Sequence, residues 1–172
     1  MSGNIRKSDN TIDPQNQMSG GSNHLGLLTS KRVSVLREGQ VVPLLPGRPV
    51  MDSTQSPWNG LYLEKFDLDA LHISEHEHGT YFLRMHSSKR VEMDWKSSGR
   101  SGHTAVDEGS LLFLTPGTYD SLNWHGPAQP IVVSIDPLLL KQMADQMELR
   151  GLPEFTNLGR LRMSKYVCCS RK

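Results

Sequence analysis

Residues 109–126 read GSLLFLTPGTYDSLNWHG, and this stretch decides the fold that we expect for the chain. It contains a glycine, an apolar run, a Pro-Gly turn at Pro116 and Gly117, and a second, alternating run. Proline presets one position of a turn and glycine accepts a positive φ, so the chain reverses tightly there. The pattern predicts two short strands joined as a β-hairpin. On the second strand, Asp120 and Trp124 share a face with Leu122, which is consistent either with a pocket wall or with a core tryptophan beside a solvated carboxylate.

The histidine-rich segment LHISEHEH, residues 71–78, is the predicted partner of this stretch in one small β-barrel. Side chains two apart on a strand point to the same face, so His72, Ser74, His76 and His78 are expected to point together. A His-x-His pair can offer two imidazoles to one divalent cation. Alternatively, the histidines are solvated rim residues or the polar lining of a pocket. The candidates for a further ligand are Glu75, Glu77, His86, Asp120 and His125.

Most of the remaining chain up to residue 136 has the pattern of short strands. Residues 91–95, VEMDW, alternate between apolar and acidic side chains, as expected for a strand with one solvated face. The segment SSGRSGHTAVDEG, residues 97–109, is predicted to be a loop because it is rich in glycine and serine. About seven or eight short strands separated by turns predict an antiparallel sandwich or barrel.

The periodicity changes after Asp136, and a helix over about residues 137–150 is predicted. Asp136 is a favourable N-cap and Pro137 suits the first helical position. An apolar stripe at helical spacing follows, formed by Leu139, Leu140, Met143 and Met147. This stripe is expected either to pack on the barrel or to form the seam of a homodimer.

The length of the chain favours a single domain. Its balanced charge gives no indication of binding to nucleic acid or to a membrane. The chain has 172 residues, with 19 Lys and Arg against 18 Asp and Glu and a net charge of +1. We predict a disordered leader over residues 1–23, one domain over residues 24–155 and a basic tail over residues 156–172. The tail contains Cys168 and Cys169, which as neighbours are expected to be reduced thiols. No apolar run of about 18 residues is present, so we predict a cytoplasmic protein with no membrane contact.

Familiar catalytic motifs are absent from the sequence. There is no G-x-S-x-G elbow and no glycine-rich phosphate loop, and these absences predict that the protein is not an enzyme. No helix-turn-helix pair follows the predicted barrel, so direct DNA binding by this chain alone is not expected.

Several of these segments occur in the order of a known family. PWNGLYLEKF, HEHGTYFLRMH, VEMDW and GSLLFLTPGTYDSLNW, followed by a strand ending in Asp-Pro and a helix, resemble the N-terminal cupin-like domain of AraC-type transcription regulators. The resemblance covers about residues 56–155 and is most specific over residues 112–124. It implies a mainly β fold, a small cupin-like jelly-roll barrel followed by a C-terminal α-helix. It also implies sensing of a small-molecule effector or dimerisation, here in a regulator truncated before its DNA-binding domain.

The resemblance also implies a ligand site, for which we predict six residues: His76, His78, Phe82, Arg84, Asp120 and Trp124. Metal-binding cupins carry His-x-His followed by Glu, with a further His just after the Pro-Gly turn. His76 and His78 match the pair, but no Glu follows closely and Asp120 stands at the last position. We therefore predict no cofactor. The alternative is a metal-dependent cupin enzyme, of dioxygenase or isomerase type, that holds a divalent transition metal with His76, His78 and Asp120.

Overall fold

The computed structural model describes residues 31–149 and the backbone of residues 158–162. The predicted leader over residues 1–23, and the tail apart from residues 158–162, lie outside the described residues. The strands are β1 Ser34–Arg37, β2 Gln40–Pro43, β3 Met51–Asp52, β4 Leu61–Lys65, β5 Leu71–His78, β6 Tyr81–His86, β7 Val91–Ser97, β8 Arg100–Val106, β9 Ser110–Leu114, β10 Thr118–Trp124, β11 Pro130–Ile135 and β12 Leu158–Arg162, and the helix is α1 Pro137–Gln146.

The strands of the described residues form two six-stranded antiparallel sheets. The first sheet has the order β2-β1-β5-β10-β7-β8, and the second has the order β12-β9-β6-β11-β4-β3. The predicted mainly β fold, with two antiparallel sheets and a helix after β11, is thus confirmed. The predicted pairing of the histidine-rich strand with residues 118–124 is also confirmed, because β5 and β10 are neighbours.

The core lies between the two sheets and follows from alternation along the strands. On β10, Thr118, Asp120, Leu122 and Trp124 are buried, whereas the residues between them are more exposed. The apolar core consists of Val33, Val35, Leu44, Leu45, Phe66, Ile73, Phe82, Val91, Met93, Val106, Leu114, Leu122, Trp124, Ala128 and Val132. Polar side chains share the same interior, and they define the site described below.

The predicted hairpin over residues 109–126 is wrong in its pairing, although both strands exist. β9 pairs with β6 and β12 in one sheet, and β10 pairs with β5 and β7 in the other. Gly117, at φ +81°, turns the chain from one sheet to the other, and its amide donates to the His78 carbonyl at 2.7 Å. A Pro-Gly turn between two alternating runs suits a connection between sheets as well as a hairpin, so the local pattern cannot distinguish them.

The predicted loop over residues 97–109 is also wrong, because Arg100–Val106 forms β8. Ser98 and Gly99 both have positive φ, the requirement of the two-residue turn that joins strands in a tight hairpin. β8 is an edge strand with its first four residues exposed, so packing does not require the apolar alternation that marks interior strands.

The helix begins as predicted and ends earlier. The Asp136 carboxylate accepts a hydrogen bond from the Leu138 amide at 2.8 Å, and Pro137 occupies the first turn. α1 ends at Gln146, and Glu148 just beyond it takes a left-handed φ of 54°. Within the part of the chain that the structure describes, no helix has the length and apolar character needed to cross a membrane.

Candidate metal and ligand site

A β-bulge in β5 determines which histidines face the interior. Asp120 lies opposite His76, but Leu122, two residues further along β10, lies opposite Ile73, three residues back along β5. The extra residue on β5 reverses the alternation between Ile73 and His76. His72 and Ser74 are therefore exposed, whereas His76 and His78 are buried. The prediction that all four side chains share one face is wrong for His72 and Ser74.

His76, His78 and Asp120 form a compact group of potential metal ligands inside the barrel. Each offers one ligand atom, and these three atoms all lie within 4.8 Å of one another. The closest measured approach is between His78 Nε2 and Asp120 Oδ2, which are 3.9 Å apart. The three side chains are at most 3% exposed, so they are not surface groups that meet by chance.

The hydrogen bonds of this group leave the ligand atoms free. His76 Nδ1 donates to the Ser74 carbonyl at 2.8 Å, which fixes the tautomer with a lone pair on Nε2. His76 Nε2, His78 Nε2 and Asp120 Oδ2 are buried and lack hydrogen-bond partners among the residues that the structure describes. Burial, reinforced by the proximity of His78, lowers the pKa of His76 to about 4. His76 is thus a neutral imidazole near neutral pH, the form that ligates metals.

Aromatic and cationic side chains from β6, β7 and β10 surround the group. The Phe82 ring stacks on His78 with ring centroids 4.5 Å apart. The Arg84 guanidinium lies 5.6 Å from the centroid of the Trp124 ring. Met93 connects these two residues, because its sulfur accepts from Trp124 Nε1 at 2.8 Å and from Arg84 Nη2 at 3.7 Å. Burial lowers the pKa of Arg84, and the nearby Asp120 carboxylate opposes that shift.

A cavity of about 460 Å³ adjoins the group between β7 and β8 on one side and β9 on the other. Asp120 belongs both to the ligand group and to the cavity wall. The other walls include Arg84, His86, Met93, Trp95, Thr104, Leu112, Leu114 and Trp124. A separate space of about 10 Å³ is lined in part by His76, Phe82, Arg84, Asp120 and Trp124, and it shares Arg84, Asp120 and Trp124 with the larger cavity.

The other predicted metal ligands are placed elsewhere. Glu75 faces outward and pairs with Lys96, and Glu77 accepts from the Tyr119 hydroxyl. His86 is buried in the cavity wall, where its Nε2 pairs with the Lys89 carbonyl at 2.8 Å. His125 is exposed and contacts the Asp94 carboxylate. Of these five candidates, Asp120 is thus the one that joins His76 and His78.

Sequence reasoning placed the six predicted ligand-site residues in one region but missed part of the wall. Five of the six border the cavity or the small space beside it, and His78 packs between Phe82 and His76. Met93, Trp95 and Thr104 were not predicted as site residues. The alternation of residues 91–95 already placed Met93 and Trp95 on one face, and that signal could have identified them.

No family model matches the sequence, and no curated protein matches it. Solved structures that match the chain include the oxalate decarboxylase of Bacillus subtilis in a study of its Mn(II) centres, with 17% identity, 58% of this chain and 32% of that chain covered, and a TM-score of 0.41. A serine-to-alanine mutant of the same enzyme matches with 16% identity, coverage of 63% and 37%, and a TM-score of 0.42. Vicilin from hazelnut, Corylus avellana, matches with 10% identity, coverage of 49% and 25%, and a TM-score of 0.40. The chain spans about a third of the length of the decarboxylase chains. Such distant matches do not transfer an activity.

Two predictions require correction at this point. The predictions that the domain has no cofactor and is not an enzyme are wrong, because the structure assembles a buried His-His-Asp group that can hold a metal. The absence of sequence motifs was misleading, since strand register and not local spacing brings Asp120 to the histidines.

Proposed function

We propose that this domain is a metal-dependent cupin that binds a divalent transition metal through His76, His78 and Asp120 and acts on a small organic molecule in the adjoining cavity. The observation that carries the proposal is the convergence of three buried ligand atoms without hydrogen-bond partners among the described residues. A buried polar atom that stays unpaired costs about 1–3 kcal/mol, so three of them at one point favour a ligand that pairs with all three.

The donor set fits a transition metal. Two neutral imidazoles and one carboxylate are the ligands of the 2-His-1-carboxylate class, which leaves coordination positions open. A metal bound in this way would supply Lewis-acid or redox chemistry to a molecule in the cavity. The Ser74 carbonyl holds the His76 ring through Nδ1, as is usual for ligating histidines, and Phe82 packs against His78.

The cavity fits the role of a substrate site. Its volume lies within the range of roughly 300–1,000 Å³ that is common for small-molecule pockets. Apolar walls exclude water, and a few polar groups, chiefly Asp120 and Arg84, can orient a ligand. Reactions of dioxygenase or isomerase type are the classes that we consider for this arrangement.

Metal binding to the full chain tests the proposal directly. Elemental analysis of the protein as purified and calorimetric titration of the metal-free protein with Mn²⁺, Co²⁺, Ni²⁺ and Zn²⁺ should show one tight site. Asp120→Asn should weaken metal binding by roughly 10- to 100-fold or more. Losses of this size occur even when the mutated residue only forms a hydrogen bond to a metal ligand.

His125→Gln is the matched control, because His125 belongs to an exposed group with Asp94 and His103 that could also attract a cation. Binding that survives Asp120→Asn but disappears in His125→Gln would refute the proposal.

A second candidate is the effector-sensing domain of an AraC-type regulator, with the effector in the same cavity. The mixed lining of apolar and charged side chains supports this candidate, since a sensor needs a selective pocket and no chemistry. The gene sequence after the codon for Lys172 tests it. Two helix-turn-helix units encoded there would support a regulator, and their absence in every reading frame would contradict it. A cytoplasmic location remains a proposal in either case.

A further inference from the structure

Arg84 is a buried cation whose surroundings offer no matching anion. It is 7% exposed, and its Nη1 atom has no hydrogen-bond partner among residues 31–149. Its Nη2 atom contacts the Met93 sulfur at 3.7 Å, which is a weak acceptor. The Trp124 ring provides a cation-π contact at 5.6 Å but no charge. Burying a charge without a partner is costly, so the site favours a ligand that brings an anion to Arg84.

The nearest acidic group does not fulfil this role. Asp120 influences Arg84 through the electrostatic field. No ion pair joins the two side chains in the part of the chain that the structure describes, and Asp120 Oδ2 instead lies 3.9 Å from His78 Nε2. If Asp120 ligates a divalent cation, its charge is compensated there and is not available to Arg84.

The rest of the cavity limits what else the ligand can carry. Besides Arg84 and Asp120, the lining includes apolar and aromatic side chains, namely Met93, Trp95, Val106, Leu112, Leu114, Leu122 and Trp124. It also includes the polar side chains of His86, Ser97, Ser98, Arg100, Thr104 and Ser110. Arg100 is exposed, so Arg84 is the buried guanidinium of the lining. A guanidinium matches one planar, singly charged group, which it can bind through two parallel hydrogen bonds. A phosphate dianion carries a second charge that the one buried guanidinium of the lining does not compensate.

We propose that the ligand of this cavity is an organic monocarboxylate with an apolar body, whose carboxylate pairs with the Arg84 guanidinium while its body packs against Trp124 and the leucines. This inference rests on the proposed function, in which the cavity beside His76, His78 and Asp120 holds the substrate. Arg84 then holds the acid at one end and so determines which of its atoms face His76, His78 and Asp120.

The experiment uses the fluorescence of Trp95 and Trp124, which line the cavity, in the full chain with and without EDTA. Octanoate and 4-phenylbutyrate are titrated, with octanamide and octyl phosphate as the neutral and the doubly charged comparisons. Octanoate should bind roughly tenfold or more tightly than octanamide in the metal-free protein, because a hydrogen bond to a charged group is worth that much.

Arg84→Met should abolish this preference, and it is expected to fold because an apolar side chain of similar length replaces a buried charge. A melting curve of the variant checks the fold. Arg90→Met is the control, since Arg90 is exposed and pairs with Glu92 and Asp107. It should retain the full preference.

Four results would overturn the inference: equal binding of acid and amide, tighter binding of the phosphate, a preference that survives Arg84→Met, or no binding of either acid up to its solubility limit. These outcomes are independent of the proposed function, because metal binding is measured without any acid and the preference for the acid is measured without metal. Metal binding without a carboxylate preference would refute the inference alone. A carboxylate preference without metal binding would refute the proposed function.

Discussion

Asp120→Asn replaces one potential metal ligand by an amide of nearly the same shape, and its effect on stability can be worked out with and without metal. In the metal-free protein, the change removes a carboxylate whose Oδ2 is buried and has no hydrogen-bond partner among the described residues. It also removes a 3.9 Å contact with His78. These two effects oppose each other. Without metal, the free energies of unfolding of the variant and the native protein should therefore differ by less than about 1 kcal/mol.

Bound metal should stabilise the native protein more than the variant. A ligand that binds only the folded state, at 100 times its dissociation constant, adds about 2.7 kcal/mol to the free energy of unfolding. For a chain of 172 residues, each kcal/mol raises the melting temperature by roughly 2–4 °C, so the native protein should gain about 5–11 °C. If the variant binds about 100-fold more weakly, the same metal concentration adds only about 0.4 kcal/mol, or about 1–2 °C.

Differential scanning calorimetry of both proteins, in EDTA and at equal free metal concentrations, measures these shifts. The free concentration is set from the dissociation constant of the native protein. The reasoning fails if the native protein shows no shift with any divalent transition metal, or if both proteins shift equally. Equal shifts would place the cation outside the His76, His78 and Asp120 group.

Three further predictions concern the frame, the surface and the helix. Gly117→Val should cost about 1–3 kcal/mol in urea unfolding, because Gly117 has φ +81° and a Cβ there meets nothing within 4 Å, so that backbone strain is the whole cost; an unchanged midpoint would contradict this. Hydrogen bonding to Asp94 raises the pKa of His103, so its contribution to stability is present below the ordinary pKa of about 6.5 and is lost as the pH rises through the raised value. Asp94→Asn should return the NMR titration of His103 toward that ordinary value, and an unaltered titration would argue against the pair. Met143 is exposed on α1, and if this helix is the seam of a homodimer, Met143→Lys should convert a dimer to a monomer in light scattering; a native protein of one-chain mass would exclude the seam.

The sequence predicted the architecture well where local chemistry dictates structure. Asp136 and Pro137 specified the start of the helix, and alternation on residues 118–124 identified the buried face of β10. Sequence-based prediction failed where the structure depends on which strand pairs with which. Nothing local indicates that Pro116 and Gly117 connect two sheets, or that polar residues 100–106 continue a hairpin at a sheet edge.

The sequence predicted which residues could form the candidate site, but it did not identify the third metal ligand. His76, His78 and Asp120 were recognised as a donor set, yet the third ligand stayed open among five residues because spacing along the chain does not reveal opposition across strands. The register of β5 against β10 resolves this by placing Asp120 opposite His76. Arg84 was predicted as a ligand-site residue through the family resemblance. The residue pattern of β6 alone does not indicate that Arg84 is buried, because its burial depends on the central position of β6 in the sheet.

The bulge in β5 implies that the histidine strand could lose one residue and keep the same side chains on its inner face. In a regular strand of this sequence, the face that presents His76 and His78 to the interior would expose Ile73, which is part of the core. The extra residue lets both point inward, so deletion of Ser74 would leave a regular strand in which Ile73, His76 and His78 still alternate on the inner face. Insertions and deletions usually accumulate in loops. Here a deletion inside a sheet, two residues from a candidate metal ligand, is expected to keep the same side chains in the interior. It would also remove the Ser74 carbonyl that accepts the hydrogen bond from His76 Nδ1.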